Sequence, residues 1–250
     1  TSYKDLPIKL FEYGVVHRHE LSGTMHGLFR VREFTQDDAH IFCTNEQVKN
    51  IIIEVLEFIQ SLMDFFNFKF EIEVSTKPKK AIGSDEFWEN TTKSIMDALD
   101  GNEIKYEIDE GGGAFYGPKI DIKILDAIGR KWQCGTVQVD MNLPERFDLE
   151  YTNSNDQKER PVMIHRAILG SFERFIGILI EHCKGEFPFE IAPTQIILIP
   201  IANKHYEYAK NIYKLLAELE IDSKIFDKNE SLSKKVRNAE KQKVPMIIII

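Results

Sequence analysis

The stretch KIDIKILDAIGRKWQCGTVQVD, Lys119 to Asp140, decides the fold. Isoleucines at 120, 122 and 124 alternate with charged residues, as a strand with one buried face requires. Asp126-Ala127-Ile128-Gly129 is turn chemistry, and Trp132 to Asp140 runs back. Two extended runs joined by a short Asp/Gly turn make an antiparallel hairpin. Val162 to Leu169 reads as another strand. Gly170-Ser171 then opens a helix from Phe172 to about His182, closed by Lys184-Gly185. No GxGxxG or Walker loop occurs, and the order of elements is not a Rossmann alternation.

Upstream, Leu10 to Glu20 and Gly27 to Phe34 read as two strands, with His40 to Cys43 a third extended piece. Thr44-Asn45-Glu46-Gln47 is a capping box ahead of a helix whose apolar side carries Val48, Ile51, Ile52, Val55, Leu56, Ile59, Leu62, Met63 and Phe66. Phe70, Ile72 and Val74 alternate as a half-buried strand. Ser84 caps a second helix carrying Phe87, Ile95, Met96 and Leu99. The expected class is α+β, an antiparallel sheet with flanking helices. After the link Pro188–Pro193 the rhythm becomes βαβαβ: Ile196–Ile199, His205–Leu219, Lys224–Phe226, Ser231–Gln242 and Met246–Ile250. Two domains are expected, 1–190 and a small α/β domain over 191–250.

Composition narrows the class. The 250 residues allow a sizeable core, and 43% hydrophobic residues is ordinary for a globular chain. No apolar run approaches a membrane span, and no signal peptide is visible at the start. Net charge −8 argues against a surface that coats nucleic acid generally, though binding follows the local field. Cys43, Cys134 and Cys183 form no CxxC pair and read as reduced thiols of a cytoplasmic protein. The chain starts at Thr1 without methionine and stops inside the apolar run Ile247–Ile250, so a segment of a longer, truncated protein is expected.

Several side chains point to chemistry. Arg18 and Glu20 fall on one face of a strand, Arg30 and Phe34 on one face of the next. The set suits a bent nucleoside triphosphate: Arg18 on the α-phosphate, Arg30 on the γ-phosphate, Glu20 on a base amine and Phe34 under the purine. Arg/Glu pairs are also ordinary salt bridges of a sheet surface. Ser171 stands at an N-cap and Arg174 in the first turn, where a cation is unfavourable unless an anion visits. His40 and His165 end strands, and Cys134 is the nearest thiol in kind, but two histidines fall short of a zinc set. Gln36, Asp37 and Asp38 make a polar cluster. Tyr116 and Lys119 sit in a glycine-rich segment that admits close approach of a ligand. Gln133 and Gln138 lie on opposite faces by strict alternation, unless Gly135 hosts a bulge that turns both toward one cavity.

With these residues in view, the chain resembles the bacterial threonyl-tRNA synthetases, which are class II aminoacyl-tRNA synthetases. The likeness rests on His17-Arg18-His19-Glu20, Leu28 to Arg32, Phe34 to Cys43, Ala114 to Asp121, Trp132 to Thr136, Val162 to Ala167 and Ile168 to Gly177, and runs nearly end to end. It implies that Arg18, Glu20, Arg30 and Phe34 belong to motif 2 and that Arg174 is the motif 3 arginine, with Arg18 and Arg174 catalytic. It implies ATP contacts from Gln133 and Thr136 as well, and threonine contacts from Gln36, Asp38, Tyr116, Lys119, Gln138 and Ser171.

The resemblance further implies one zinc ion per subunit on His40 and His165, with a cysteine upstream of motif 2 as third ligand rather than Cys134. Magnesium would accompany ATP. L-threonine and tRNA(Thr) are the other implied partners, with no membrane, and the parent would be a homodimer. Motif 1, the editing domain and the last part of the anticodon-binding domain are expected to lie outside this segment. The basic run Lys234, Lys235, Arg237, Lys241 and Lys243 is expected to meet tRNA phosphates, or to be a solvated helix face. Other readings are a class II synthetase for proline, serine or glycine, and a non-catalytic fragment that binds nucleotide or tRNA.

Overall fold

The hairpin read from Lys119 to Asp140 holds the middle of a seven-stranded sheet. A computed structural model describes residues 1–250 and divides them into two compact units, Thr1–Ile178 and Leu179–Ile250. The first contains, in order, β1 (Ile8–His17), β2 (Glu33–Cys43), α1 (Val48–Phe65), β3 (Phe70–Ser75), α2 (Asp85–Asp100) and β4 (Glu107–Asp109). Then come β5 (Lys119–Leu125), β6 (Lys131–Asp140), α3 (Asn142–Arg146), β7 (Tyr151–Thr152), β8 (Lys158–Glu159) and β9 (Val162–Ser171). The unit boundary falls within α4 (Phe172–His182).

The large sheet runs β1-β2-β9-β6-β5-β3-β4. Every neighbouring pair is antiparallel except β3–β4. The α+β class expected from the sequence is the class observed. α1 buries the stripe predicted for it, with Ile52, Ile59 and Met63 fully enclosed. Each such side chain contributes roughly 1.5–3 kcal/mol relative to exposure. Gln47 Oε1 accepts the Thr44 N–H at 3.0 Å, the second half of the capping box. Ser84 Oγ accepts the Phe87 N–H at 3.1 Å and starts α2.

Three local expectations are corrected. Arg18–Glu20 and Arg30 do not lie on strands: β1 stops at His17, and β2 is one long strand starting at Glu33. Arg18 N–H reaches Arg32 O at 2.8 Å, and beyond that pair the chain leaves the sheet through Gly23 and Gly27, both at positive φ. The alternation around Phe29 and Val31 imitates a strand, but these residues border a cavity instead. β3 is not half-buried, since Glu73 and Ser75 are enclosed along with Val74. Lys123 sits 2.5 Å from the Glu73 carboxylate, which lets the charge stay inside. On α2 it is Trp88 rather than Phe87 that fills the core, its indole N–H donating to Ile82 O at 2.8 Å.

The second unit contains β10 (Ile196–Ile199), α5 (Tyr206–Glu218), β11 (Ser223–Ile225), α6 (Leu232–Lys241) and β12 (Met246–Ile249). All three strands are parallel in the order β11-β10-β12, with β10 buried along its whole length. A central parallel strand covered on both faces has to read as an unbroken apolar run, as Ile196–Ile199 does. Ile197, Ile199 and Ala239 form the core here, with Phe226, Leu232 and Ile247 packed against it.

Candidate active site

Strand register builds the site as rows across the large sheet. His40 on β2 pairs with His165 on β9, which pairs with Gln138 on β6, which pairs with Lys119 on β5. The next row is Asp38, Ala167, Thr136 and Asp121. Gln36 pairs with Ser171. Period two puts Phe34, Gln36, Asp38 and His40 on one side of β2, while Asp37, Ala39, Ile41 and Cys43 are buried on the other.

Beyond the first row the 18–32 loop completes a cavity of about 260 Å³. Arg18, Glu20, Arg30, Phe34, Gln36, Gln133, Thr136, Gln138, Ser171 and Arg174 all border it. Three guanidinium groups thus meet around one space although 156 positions separate the first from the last (174 − 18). Asp38, His40, Tyr116, Lys119 and His165 do not border it. Tyr116 joins it indirectly, its hydroxyl donating to Gln138 Oε1, and its ring lies 5.7 Å from that of His165.

Local contacts fix the arginines. Arg30 Nε donates to Glu20 Oε2 at 3.0 Å, and the Arg18 guanidinium lies 5.0 Å over the Phe34 ring. Ser171 Oγ accepts the Arg174 N–H at 3.0 Å, the N-cap contact expected of it. Arg174 Nε donates to Phe29 O at 2.8 Å and its Nη1 to Gln133 O at 2.6 Å, so it ties the loop to β6. Burial, with Arg30 and Arg18 nearby, pulls the Arg174 pKa down. Three cations held together with only Arg30 paired, to Glu20, form a site in which anionic charge is stabilised.

Gln133 and Gln138 both face the cavity because β6 is bulged. Ile122 pairs with Gly135 and Lys123 with Gln133, which leaves Cys134 as the extra residue. A Cβ on Gly135 would stand 2.9 Å from Ile168 O, so the close approach there needs glycine. Cys134 borders the arginine cavity and not the histidine pair. Burial pushes its thiol up to about 12, so it stays protonated.

His40 and His165 bring their rings to 4.7 Å, nearly perpendicular. His165 Nε2 lies 2.9 Å from Asp140 Oδ2. Burial raises the Asp140 pKa, but His165 and the N–H groups of Leu143 and Asn142 more than offset it and hold the carboxyl below its ordinary value. An ionised Asp140 places the proton on Nε2 and the lone pair on Nδ1 of His165, the outer-carboxylate pattern of metal-binding histidines. The donor set therefore fits two ligands of a zinc centre. No three His, Cys, Asp or Glu side chains in the chain are grouped to hold a metal alone. Tyr116 is pushed up to about 12, by burial first and then by Asp140 and Asp38, and remains a hydrogen-bond donor at neutral pH.

Sequence reading names Asp37 only as part of a polar cluster and misses the roles of three buried carboxylates behind the site. Asp121 accepts from Gln133 Nε2 at 2.6 Å, Thr136 Oγ1 at 3.1 Å and Lys119 Nζ at 2.5 Å. Asp140 orients His165. Asp37 accepts three backbone N–H groups of β9. It also missed Trp132, whose ring meets Phe29 at 4.7 Å and lies parallel to His26.

In the second unit the basic run is only partly a surface. Lys235 is buried with Nζ 3.2 Å from Pro200 O, and Lys234 pairs with Glu230 at 3.0 Å. Lys243 binds Lys184 O. Arg237 and Lys241 are exposed.

Comparisons with known proteins follow the same division. The family model for the tRNA synthetase class II core domain (G, H, P, S and T) matches residues 1–183. The anticodon binding domain model matches residues 195–250. A threonine–tRNA ligase of Campylobacter jejuni is 67% identical over 249 residues, covering 100% of this chain and 41% of the relative. One of Campylobacter lari is 66% identical with the same coverage. The chain thus spans about two fifths of the length of these relatives. A crystal structure described as the RNA binding domain of threonyl-tRNA synthetase from Cryptosporidium parvum superposes with TM-score 0.96 at 41% identity, covering 100% of this chain and 63% of that one.

Proposed function

Because this chain belongs to the class II tRNA synthetase core family, with an anticodon binding domain following the core in sequence, we propose that it is the part of a threonine–tRNA ligase that activates L-threonine with ATP and passes it to tRNA(Thr). The observation that carries the reading is the single cavity bordered by Arg18, Arg30 and Arg174, one sheet row away from His40 and His165.

ATP lies bent in that cavity, delivered with its Mg²⁺. Phe34 faces the purine, Glu20 its amine, and Gln133 and Thr136 the nucleoside. A threonine carboxylate oxygen attacks the α-phosphorus, the bond to the bridging oxygen breaks, and pyrophosphate leaves with the electron pair. Arg18 stabilises the charge that grows on the α-phosphate as it becomes five-coordinate. Arg30 and Arg174 hold the β- and γ-phosphates. Groups already in place at that moment cost little reorganisation, which is where such catalysis comes from. The terminal ribose hydroxyl of tRNA then attacks the adenylate carbonyl and AMP leaves.

Gln36, Tyr116, Lys119, Gln138 and Ser171 surround the amino acid, and Asp38 accepts its hydroxyl proton. His40 and His165 would hold a zinc ion, with a third ligand that this chain does not supply. When bound, zinc supplies a Lewis acid for the amino and hydroxyl groups, which selects against valine better than an apolar pocket can, since such a pocket separates isosteres only about 10²-fold. A boundary near residue 190 between catalytic and anticodon-binding parts belongs to this reading, as do tRNA contacts from Arg237 and Lys241, a cytoplasmic site of action and a homodimer.

A second reading is a non-catalytic segment that holds nucleotide or RNA, since His40 and His165 are two of the three protein ligands that a catalytic zinc centre uses. Pyrophosphate exchange into ATP, with threonine, serine, proline and glycine offered in turn, decides. Threonine-dependent exchange is expected. Exchange driven by proline or glycine instead overturns the specificity, and ATP binding without any exchange supports the second reading.

A further inference from the structure

Asp37 was read in the sequence as one member of a polar cluster, yet it faces away from the cavity and is buried. Between the pairs Gln36–Ser171 and Asp38–Ala167 the register of β2 and β9 slips. There Asp37 alone stands opposite Ile168, Leu169 and Gly170. Its carboxylate accepts the N–H of each, at 2.8 Å from Ile168, 3.1 Å from Leu169 and 3.1 Å from Gly170. Arg166 adds a guanidinium nitrogen at 3.6 Å. A bulge leaves backbone donors outside the ladder, and a buried carboxylate that accepts three of them replaces the lost sheet bonds.

The bulge ends where the phosphate side of the cavity begins. Gly170 stands at φ +75°, and a Cβ there would meet Cys134 O at 2.3 Å, so the turn is held from the β6 side as well. Ser171 follows and caps Arg174. The position of the Arg174 guanidinium, between Phe29 O and Gln133 O, depends on where α4 starts. We propose that Asp37 is a positioning residue for the phosphate grip: by clamping the three-residue bulge of β9 it sets the start of α4 and so places Arg174 against Arg18 and Arg30.

This rests on the reading of the cavity as an ATP site. Through Arg174, Asp37 acts on the β- and γ-phosphates and not on the nucleoside, so its loss separates ATP from AMP. Loss of a buried charged acceptor is worth about one decade in affinity or more. Calorimetric titration of the 250-residue chain with MgATP and with AMP reads this directly. Wild type is expected to prefer ATP. In Asp37→Asn the ATP Kd rises about tenfold while AMP binding stays unchanged, because the amide offers fewer acceptors to the three N–H groups. Asp37→Glu keeps charge and acceptors and is expected to show the same selective loss at about threefold, which also serves if the amide variant fails to fold. Equal losses for ATP and AMP, or no loss in either variant, overturn the proposal. Absence of an ATP preference in the wild type instead removes the reading of the cavity itself.

Discussion

At the scale of single residues, the site depends on carboxylates that never border the cavity. Asp121 is 3% exposed and joins Lys119, Gln133, Thr136 and Ser75, with Ser75 Oγ at 3.3 Å. The Lys119 side chain is itself only 15% exposed, so removing its partner leaves a largely buried ammonium uncompensated. Asp121→Ala is expected to lower stability by about 3–5 kcal/mol in urea unfolding. An unchanged midpoint would contradict this account of the network.

The cavity side chains themselves were legible. Phe34, Gln36, Asp38 and His40, at even positions of β2, announce a shared face. Asp37, Asp121 and Asp140 were not legible, because their partners are N–H groups and side chains from strands distant in sequence. Nothing local in Gln36-Asp37-Asp38 shows which carboxylate turns inward. Lys235 was misread for the same reason: its acceptor, Pro200 O, lies 35 positions away (235 − 200).

At the scale of elements, the hairpin β5–β6 is the best-specified part of the chain. Its turn is organised by Asp126, whose carboxylate accepts the N–H groups of Ile128 at 3.0 Å and Arg130 at 2.9 Å, the Arg130 Nε at 2.5 Å and the Trp132 indole N–H at 2.9 Å. Burial opposes ionisation, but these bonds overcome it and depress the carboxyl far below its ordinary value. The stability Asp126 contributes is therefore fully present above the unfolded-state pKa of about 4 and is lost as pH falls toward the folded value. Asp126→Asn is expected to lower the melting temperature at pH 7 and to flatten its decline between pH 4 and pH 2, the range being set by the ordinary carboxylate value of about 4. A variant as stable as wild type at pH 7, with the same acid slope, would show that the turn carries no such charge.

Element reading succeeded where the period was long and failed where it was short. The stripe of α1 spans five turns and has one interpretation. Gly135 correctly marked a bulge in β6. Between Arg18 and Arg32 the short alternation of Phe29 and Val31 mimicked a strand, while Gly23 and Gly27 at positive φ turned the chain into a loop. That failure has a functional sense, since a loop can bring Arg18 and Arg30 over the cavity from outside the sheet, whereas two flat strands would hold them in its plane.

At the scale of the whole molecule, the first unit supplies a rigid sheet whose register aligns donors and acceptors in rows, and a loop and a helix start that bring cations to the end of those rows. The second unit is a separate parallel fold with its own core. The two family matches, a class II core over residues 1–183 and an anticodon binding domain over 195–250, support the division of labour proposed above.

The proposed chemistry requires one event, the gathering of remote guanidinium groups about a single folded ATP. A crystal structure of this chain grown with MgATP tests it most directly. The adenine is expected against Phe34 and the triphosphate doubled back, with Arg18, Arg30 and Arg174 all within hydrogen-bonding distance of its oxygens. An extended nucleotide, or one bound elsewhere with those three side chains untouched, would contradict it.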